Sequence, residues 1–268
     1  MVSRMSNDDA TAGTHDLPLS GAAARRGGLG RLRHVAATGS TNDDLTGEAR
    51  DGDVSPAVLV ADHQTSGRGR RDRRWDDGGD GGLMFSVRLP TEHIAGLDVA
   101  ACLAASALAA ADSICSVSVR NKWPNDLVVE TGSAPGKLGG MLSELVSGPP
   151  GAVIVGLGIN LEPVPVQPLA TSIRQCEGRP DRDRLLAEII DGFSRRRDDP
   201  DGARAELRAS SATLGRWVRV DLGSSSIEGR AVDVTDDGRL VVTTVDGDRI
   251  VSAGDVVHLR PVDRRVVD

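Results

Sequence analysis

The chain has 268 residues and a formal net charge of −7 at pH 7. This length can supply one or two domains with a substantial buried core. Because the net charge is negative, no overall positive field attracts a polyanion, and DNA or RNA binding as the main task is disfavoured. Three widely spaced cysteines without a CxxC pair argue against a disulfide framework and against a structural zinc site, and they indicate a reducing compartment.

Lysine is rare in this chain. Of the 32 basic residues only Lys122 and Lys137 are lysines, and the others are arginines. We interpret the imbalance as a coding bias towards arginine. The two lysines are therefore candidates for tasks that need a compact ammonium and not a guanidinium fork.

The apolar run Ala100–Ala111 is short for a membrane span, and Asp98 and Asp112 bracket it. It predicts a buried helix. No secretory signal pattern opens the chain. We therefore expect a cytoplasmic protein with no membrane partner.

The first 30 residues are rich in Gly, Ala, Asp, Ser and Arg and show no sustained periodicity. They predict a flexible arm, which is too short to hold a complete helix-turn-helix domain. A short strand is expected at Leu32–Ala36, followed by a helix that begins near Ser40 and Thr41. Their hydroxyls suit an N-cap, and a polar ligand at the same helix end is the alternative use.

The most unusual segment is the arginine loop, Gln64–Trp75 (QTSGRGRRDRRW), which follows a buried strand at Ala57–Asp62. It holds five arginines, two glycines and a tryptophan. Glycine lets a backbone approach a ligand closely, and arginine forks match carboxylate and phosphate oxygens. Two interpretations follow: a loop that folds over an anion, or a solvated basic loop that contacts nucleic acid.

Further elements follow from apolar periodicity and turn residues. Strands are expected at Leu83–Leu89, Ser116–Arg120, Leu127–Glu130, Lys137–Val146 and Ala152–Leu161, and helices at Ala95–Asp112, Asp181–Arg197 and Ala203–Ser211. Pro124 places a bend at Asn121–Asp126 (NKWPND).

The last section, Thr213–Arg260, changes character to short strands with tight turns. That pattern predicts a small antiparallel barrel. The expected organisation is an arm at 1–30, a catalytic domain at 31–212 and a barrel domain at 213–268.

Two nucleotide-binding motifs are disfavoured. Gly132–Leu138 lacks the spacing and the Ser/Thr of a P-loop, and Gly156–Asn160 lacks the third glycine of a dinucleotide fingerprint. Five scattered histidines form no metal-binding pattern. The remaining polar loops all lie at predicted strand ends or turns, so they could meet on one side of a mixed sheet.

Those loops are STN, GRGRR…W, KWPND, KLGGML and GLGIN, and in this order and at about this spacing the chain resembles the biotin–protein ligases. The resemblance covers about residues 32–175, and the C-terminal barrel also fits that family. It implies an α+β fold, with a class II synthetase-like mixed β-sheet and flanking helices followed by a small SH3-like β-barrel. The winged-helix domain of repressor members is missing, so the resemblance is to the monofunctional type.

The resemblance implies a two-step reaction. Biotin and MgATP form biotinyl-5′-AMP and pyrophosphate, and a lysine of the biotin carboxyl carrier domain of an acyl-CoA carboxylase then takes the biotinyl group. Mg²⁺ arrives with ATP, and no tightly bound protein-ligated metal is expected. The implied partners are biotin, ATP and the carrier domain, without nucleic acid, and the implied assembly is a monomer or weak homodimer.

The resemblance also implies roles for individual residues. Lys137, Arg68 and Arg70 would be catalytic. The biotin and adenylate site would comprise Ser40, Thr41, Asn42, Gln64, Gly67, Arg68, Gly69, Arg70 and Lys137. The ATP site would comprise Arg70, Arg73, Trp75, Asn125, Asp126 and Asn160, with Asp126 on the Mg²⁺ side.

Three residues stay open. Lys122 fits either a phosphate contact or a brace for Asp126. Core packing is the favoured interpretation of Trp123. Asp72 stands where the family usually carries glycine, which puts the closure of the arginine loop in doubt.

Three rival functions remain. A lipoate or octanoyl ligase would share the broad fold but prefer a fatty-acyl chain. A biotin-responsive repressor would need a basic helix-turn-helix segment. An RNA-binding module would lose affinity steeply with salt.

Overall fold

The computed structural model describes residues 17–71, 73–75, 79, 81–92, 95–131, 134–164, 169–252 and 254–258. The helices among them are α1 Pro18–Arg26, α2 Thr41–Arg50, α3 Gly96–Cys115, α4 Arg182–Arg196 and α5 Pro200–Ala209. The strands are β1 Leu32–Thr38, β2 Ala57–Gln64, β3 Gly82–Pro90, β4 Arg120–Lys122, β5 Asp126–Thr131, β6 Ala134–Val146, β7 Ala152–Asn160, β8 Trp217–Asp221, β9 Ser226–Val234, β10 Leu240–Thr244, β11 Gly247–Val251 and β12 Asp255–His258.

The larger sheet is mixed and has seven strands in the order β1-β2-β3-β7-β6-β5-β4. Strands β1 and β2 pair in parallel, and the other neighbours pair antiparallel. Alternate residues of β2 serve opposite faces: Val58 and Val60 join the main core beside α3 and α4, whereas Leu59 packs with Leu45 of α2. This confirms the predicted α+β architecture, a mixed sheet with flanking helices.

Helix α3 packs on α4 and α5. Its window Asp98–Cys115 is the one stretch of the described chain long and apolar enough to cross a membrane, with a mean hydropathy of 1.5. However, 61% of this window is buried inside the fold. The apolar run thus forms the predicted buried helix.

The amino-terminal prediction was wrong for the segment that forms α1. This helix packs on α4, with Ala23 and Ala24 fully buried. The hydroxyl of Ser20 donates to the Asp183 carboxylate at 2.5 Å, which ties the start of α1 to the start of α4. The alanine-rich sequence of α1 shows little apolar periodicity, so the sequence pattern did not predict a helix. The stability of such a short helix comes mainly from tertiary packing. Residues 1–16 of the predicted arm lie outside the described residues.

The strand predicted at Ser116–Arg120 was also wrong, because β4 begins only at Arg120. Val117 and Val119 are buried as the alternating pattern suggested, but residues 116–119 pair with no strand of the described chain. Ser116 has a φ of +56° and ends α3 in the left-handed region. The alternating apolar pattern therefore predicted correctly which side chains are buried, but it did not predict strand pairing.

The smaller sheet is antiparallel throughout, in the order β11-β10-β9-β8-β12. It encloses its own core around Val218, Leu240 and Val256. Trp123 of the larger domain is 6% exposed and joins this second core, and its indole N–H donates to the Gly238 carbonyl at 2.9 Å. Core packing of Trp123 is confirmed, and it couples the two sheets. The exact domain boundary stays a prediction.

Candidate active site

A cavity of about 600 Å³ opens between the mixed sheet and the smaller sheet. It brings together most of the predicted site residues, namely Ser40, Thr41, Asn42, Gln64, Arg68, Gly69, Arg70, Arg73, Trp75, Asn125, Asp126 and Lys137. Gly67 and Asn160 are not among its lining residues. Convergence of distant loops on one cavity is what the spacing of the motifs at strand ends predicted.

One end of the cavity is a polar network at the start of α2. Ser40 is the N-cap and accepts from the Asp43 backbone N–H at 3.4 Å, which confirms the predicted cap. The Thr41 backbone N–H donates to the Gln64 side-chain oxygen at 2.8 Å. The Thr41 hydroxyl lies 2.7 Å from that of Ser86. Nearly every group here is oriented by another, so the network presents fixed donors and acceptors.

Asn42 extends this network across the sheet. Its side-chain N–H₂ donates to Glu144 at 2.9 Å and to the Leu142 carbonyl at 3.2 Å, and its side-chain oxygen accepts from the Ser86 hydroxyl at 2.7 Å. A Cβ on Gly156 would lie 2.4 Å from the Asn42 side-chain oxygen. Glycine at position 156 therefore makes room for this buried amide.

The arginine loop is folded into a hairpin over the cavity. The Gly69 N–H donates to the Arg73 carbonyl at 2.7 Å, and the Trp75 N–H donates to the Gly67 carbonyl at 2.9 Å. A Cβ on Gly67 would lie 2.7 Å from the Trp75 carbonyl oxygen. Gly67 therefore permits close approach of the two hairpin arms and does not line the cavity. Asp72 lies outside the described residues.

Arg68 and Arg70 of this hairpin line the cavity and contact other elements. Arg68 pairs with Asp43 at 2.5 Å and with Glu144 at 2.9 Å, and the hydrogen bond to Asp43 is the main reason why its pKa is raised. Arg70 donates to the Asn125 side-chain oxygen at 3.2 Å. Burial, and then the charge of Arg71, lower the pKa of Arg70. A desolvated guanidinium with few anionic partners is prepared for an anionic ligand.

Strands β6 and β5 bring Lys137 and Asp126 to the cavity. The Lys137 ammonium lies 2.8 Å from an Asp126 carboxylate oxygen and 5.8 Å from the centre of a Trp75 ring. The Asn125 amide donates to the Met141 carbonyl at 2.9 Å, which turns its oxygen towards Arg70. Lys137 is thus held between a carboxylate and an aromatic face, with its ammonium at the cavity.

Lys122, whose role the sequence left open, also lines the cavity. Its pKa is lowered, mainly because burial disfavours the charged form. Asp126 and Asp255 oppose that effect, and Lys137 adds to it. Within the described part of the chain the ammonium forms no ion pair, since Asp126 pairs with Lys137 instead. The cavity therefore holds a second lysine whose charge is not directly neutralised.

Asn160 is not where the sequence-based prediction needs it. It is 3% exposed, and its amide donates to the Thr171 carbonyl at 3.0 Å and to the Lys137 carbonyl at 3.4 Å. It therefore braces the backbone that carries Lys137. A nucleotide contact by Asn160 finds no support in this geometry.

Sequence reasoning missed the contribution of the C-terminal sheet to the cavity, which consists of Asp221, Asp255, Val256 and Val257. No local signal marks these residues, since they belong to ordinary short strands. Among the described residues, no group of three or more His, Cys, Asp or Glu side chains could hold a metal ion.

The electrostatics divide the cavity into two parts. The end at α2 offers neutral hydrogen-bonding groups beside apolar Phe85 and Leu157, and the other end offers the cations of Arg70, Lys122 and Lys137. Such a cavity suits a ligand with a neutral polar head, an apolar middle and an anionic end. It can also hold two anions together, because fixed cations offset their repulsion.

The chain matches two families of known domains. Residues 38–160 match the biotin/lipoate A/B protein ligase family, and residues 213–259 match the biotin protein ligase C-terminal domain. A biotin–[acetyl-CoA-carboxylase] ligase of Mycobacterium tuberculosis is 37% identical over 248 residues, which cover 87% of this chain and 91% of that protein. One of Paracoccus denitrificans is 30% identical, over 83% of this chain and 98% of that protein.

Among solved structures, a biotin protein ligase from Aquifex aeolicus in complex with biotin and ATP superposes with a TM-score of 0.69. It is 26% identical and the match covers 85% of this chain and 98% of that one. The fold, the sequence and both domains thus agree with the motifs first noticed in the sequence. The chain belongs to the biotin protein ligase family and is a ligase, as predicted.

Proposed function

We propose that this enzyme forms biotinyl-5′-AMP from biotin and MgATP and then transfers the biotinyl group to a lysine of a biotin carboxyl carrier domain. The observation that carries the proposal is the two-part cavity, with a neutral polar network at one end and the cations of Arg70, Lys122 and Lys137 at the other. The Aquifex aeolicus relative, solved with biotin and ATP, supports the same pair of substrates. ATP and carboxylases are intracellular, so we place the reaction in the cytoplasm.

In the first step a biotin carboxylate oxygen bonds to the α-phosphorus of ATP, and the bond from that phosphorus to pyrophosphate breaks. Two anions must meet, which is the main electrostatic barrier. Arg70 reaches Asn125 from the hairpin and Lys137 reaches Asp126 from β6, so both charges can lie close to the forming bond. Arg68, tied to Asp43 and Glu144, would hold the hairpin beside the ureido head.

In the second step the carrier amine attacks the acyl carbon of the mixed anhydride, and AMP leaves. Hydrolysis competes with this attack, so the site must exclude water until the carrier arrives. The arginine hairpin is the element placed to do so, since it lies across the cavity.

Of the carboxylates that line the cavity, Asp126, Asp221 and Asp255, we assign Asp126 to the Mg²⁺ carried in by ATP, because it lies beside Lys137. Magnesium commonly binds through one or two carboxylates together with phosphate oxygens, and Asp126 can supply one such carboxylate. The ion would add positive charge at the phosphates. Because Asp126 pairs with Lys137 here, its release would free the ammonium for the transferred group.

The direct test is ATP–pyrophosphate exchange by the purified protein, with biotin, with lipoate and without either acid. Exchange that requires biotin, followed by biotin transfer to a purified carboxylase carrier domain, is the expected result. Exchange with lipoate alone would assign the chain to the sister activity. Exchange with neither would contradict the proposal.

We further expect Lys122 to bind the triphosphate of ATP. Its lowered pKa means that the cation is lost, as the pH rises, at a value below the ordinary 10.5. The KM for ATP should therefore climb at alkaline pH. Lys122→Gln should raise the KM for ATP roughly tenfold at neutral pH, because a charged hydrogen bond is lost.

Lys122→Arg separates charge from shape. A guanidinium stays protonated over the whole range, so the alkaline rise in the KM for ATP should shrink in this variant. Arg50→Lys at the end of α2 adds a lysine outside the cavity and should leave the pH profile unaltered. A wild-type profile in Lys122→Arg would remove Lys122 from phosphate binding.

A further inference from the structure

The tip of the arginine hairpin is attached to the C-terminal domain. Asp255, the first residue of β12, forms an ion pair with Arg73 and lies 3.3 Å from the Arg71 guanidinium. A second guanidinium nitrogen of Arg71 donates to the Asp221 carbonyl at 3.3 Å. Asp255 and Asp221 are register partners on β12 and β8, so both contacts fall at the same place on the smaller sheet.

The base of the same hairpin is attached to the mixed sheet. Arg68 pairs with Asp43 of α2 and Glu144 of β6. Arg70 lies between the two attachments and reaches Asn125 across the cavity. The hairpin therefore spans the cavity with one anchor on each domain, and its position depends on both.

The charge around Asp255 indicates that it acts as a shared counterion. Arg71 and Arg73 contact it directly, and its charge also favours the protonated forms of Arg70 and Lys122. Without this carboxylate, three neighbouring arginines would repel one another, and of the contacts that the described residues make between the hairpin tip and the smaller sheet, the one of Arg71 with the Asp221 carbonyl would remain.

The strength of such an anchor must be modest. Asp255 is 37% exposed and Arg73 is 67% exposed, and exposed ion pairs contribute little to global stability. A hairpin in equilibrium between open and closed positions nevertheless responds to a small free-energy difference, because its closed fraction depends exponentially on it. Asp255 should thus matter for closure much more than for folding.

We propose that Asp255 is a positioning residue of the active site: by holding Arg71 and Arg73 it keeps the arginine hairpin closed over the adenylate. The C-terminal domain thereby limits escape and hydrolysis of the intermediate before the carrier arrives. This inference rests on the proposed function, because it concerns the fate of biotinyl-5′-AMP.

The test measures two rates without any carrier protein: ATP–pyrophosphate exchange, which reports adenylate formation, and AMP release, which reports its loss. AMP is released when a water oxygen bonds to the acyl carbon and the bond to the phosphate oxygen breaks, either in the open site or in solution after the adenylate has left it. In Asp255→Asn we expect the ratio of AMP release to exchange to rise roughly threefold to tenfold. Asp255→Glu should restore most of the wild-type ratio.

Asp246→Asn is the matched control, because it removes the same charge in the exposed turn before β11, at the opposite edge of the smaller sheet from β12. It should leave the ratio unchanged. Arg71→Gln tests the contact from the hairpin side, and the double variant with Asp255→Asn should raise the ratio less than the product of the two single effects.

A wild-type ratio in Asp255→Asn, with exchange intact, would overturn the inference. If that variant fails to fold, as judged by circular dichroism, an unchanged ratio in Arg71→Gln would overturn it equally. Absence of biotin-dependent exchange in the wild-type protein would instead contradict the proposed function, so the two failures can be told apart.

Discussion

Lys137→Ala is expected to reduce biotin-dependent ATP–pyrophosphate exchange by about 10²–10³-fold, as removal of a single hydrogen-bond donor to the developing negative charge does in other acyl-transfer sites. The Lys137 ammonium is the cavity cation that lies between a carboxylate and an aromatic ring. Lys122, the other cavity lysine, is held by β4 and not by β6. The affinity for biotin, measured by calorimetry, should fall by a much smaller factor than the rate of exchange.

The fold should survive this substitution. Lys137 is 36% exposed and Asp126 is 26% exposed, so the lost ion pair contributes little stability. Lys137→Arg is the matched control: it keeps the charge but replaces a compact ammonium by a planar fork, and partial activity is expected. Exchange within tenfold of the wild-type rate in Lys137→Ala would remove this residue from the chemical step.

Local signals predicted the parts of the fold that depend on short stretches of chain. The apolar run Ala57–Asp62 predicted β2, and the apolar segment Ala152–Leu161 predicted β7. Both strands are buried on two faces, so their sequences are apolar almost throughout. Pro124 marked the turn that leads into β5. The grouping of polar loops on one side of the sheet followed from these elements, whereas the fold class followed from the resemblance of the motifs to the biotin–protein ligases.

Features that depend on distant partners were not predictable. Helix α1 is stable because Ala23 and Ala24 meet α4, more than 150 residues away in the chain. Asp255 has no motif, and only the docking of the smaller sheet brings it to the hairpin. Asn160 fits a ligand-contact motif, yet its side-chain N–H₂ donates to two backbone carbonyls. A motif identifies a residue that matters without saying whether it touches substrate or holds one that does.

Gly158→Ala is expected to lower kcat/KM for ATP in the exchange reaction by about 10²-fold, the cost of a misplacement near 1 Å at a reacting site. A Cβ at this position of β7 would lie 2.6 Å from two ring carbons of Trp75, where ordinary contact needs 3.4 Å or more. The indole must therefore move away from the sheet. Because this indole is also the ring near the Lys137 ammonium, its movement would disturb that contact and displace the end of the arginine hairpin.

The cause of that loss can be isolated with two further variants. Gly47→Ala adds the same methyl group in α2, where no atom lies within 4 Å, and should leave activity intact while stabilising the helix by up to about 1 kcal/mol. Trp75→Phe combined with Gly158→Ala removes the ring atoms that collide, so it should recover part of the activity that Gly158→Ala loses. If the double variant is no better than Gly158→Ala, the damage lies in β7 itself, and the indole is not the element through which the glycine acts.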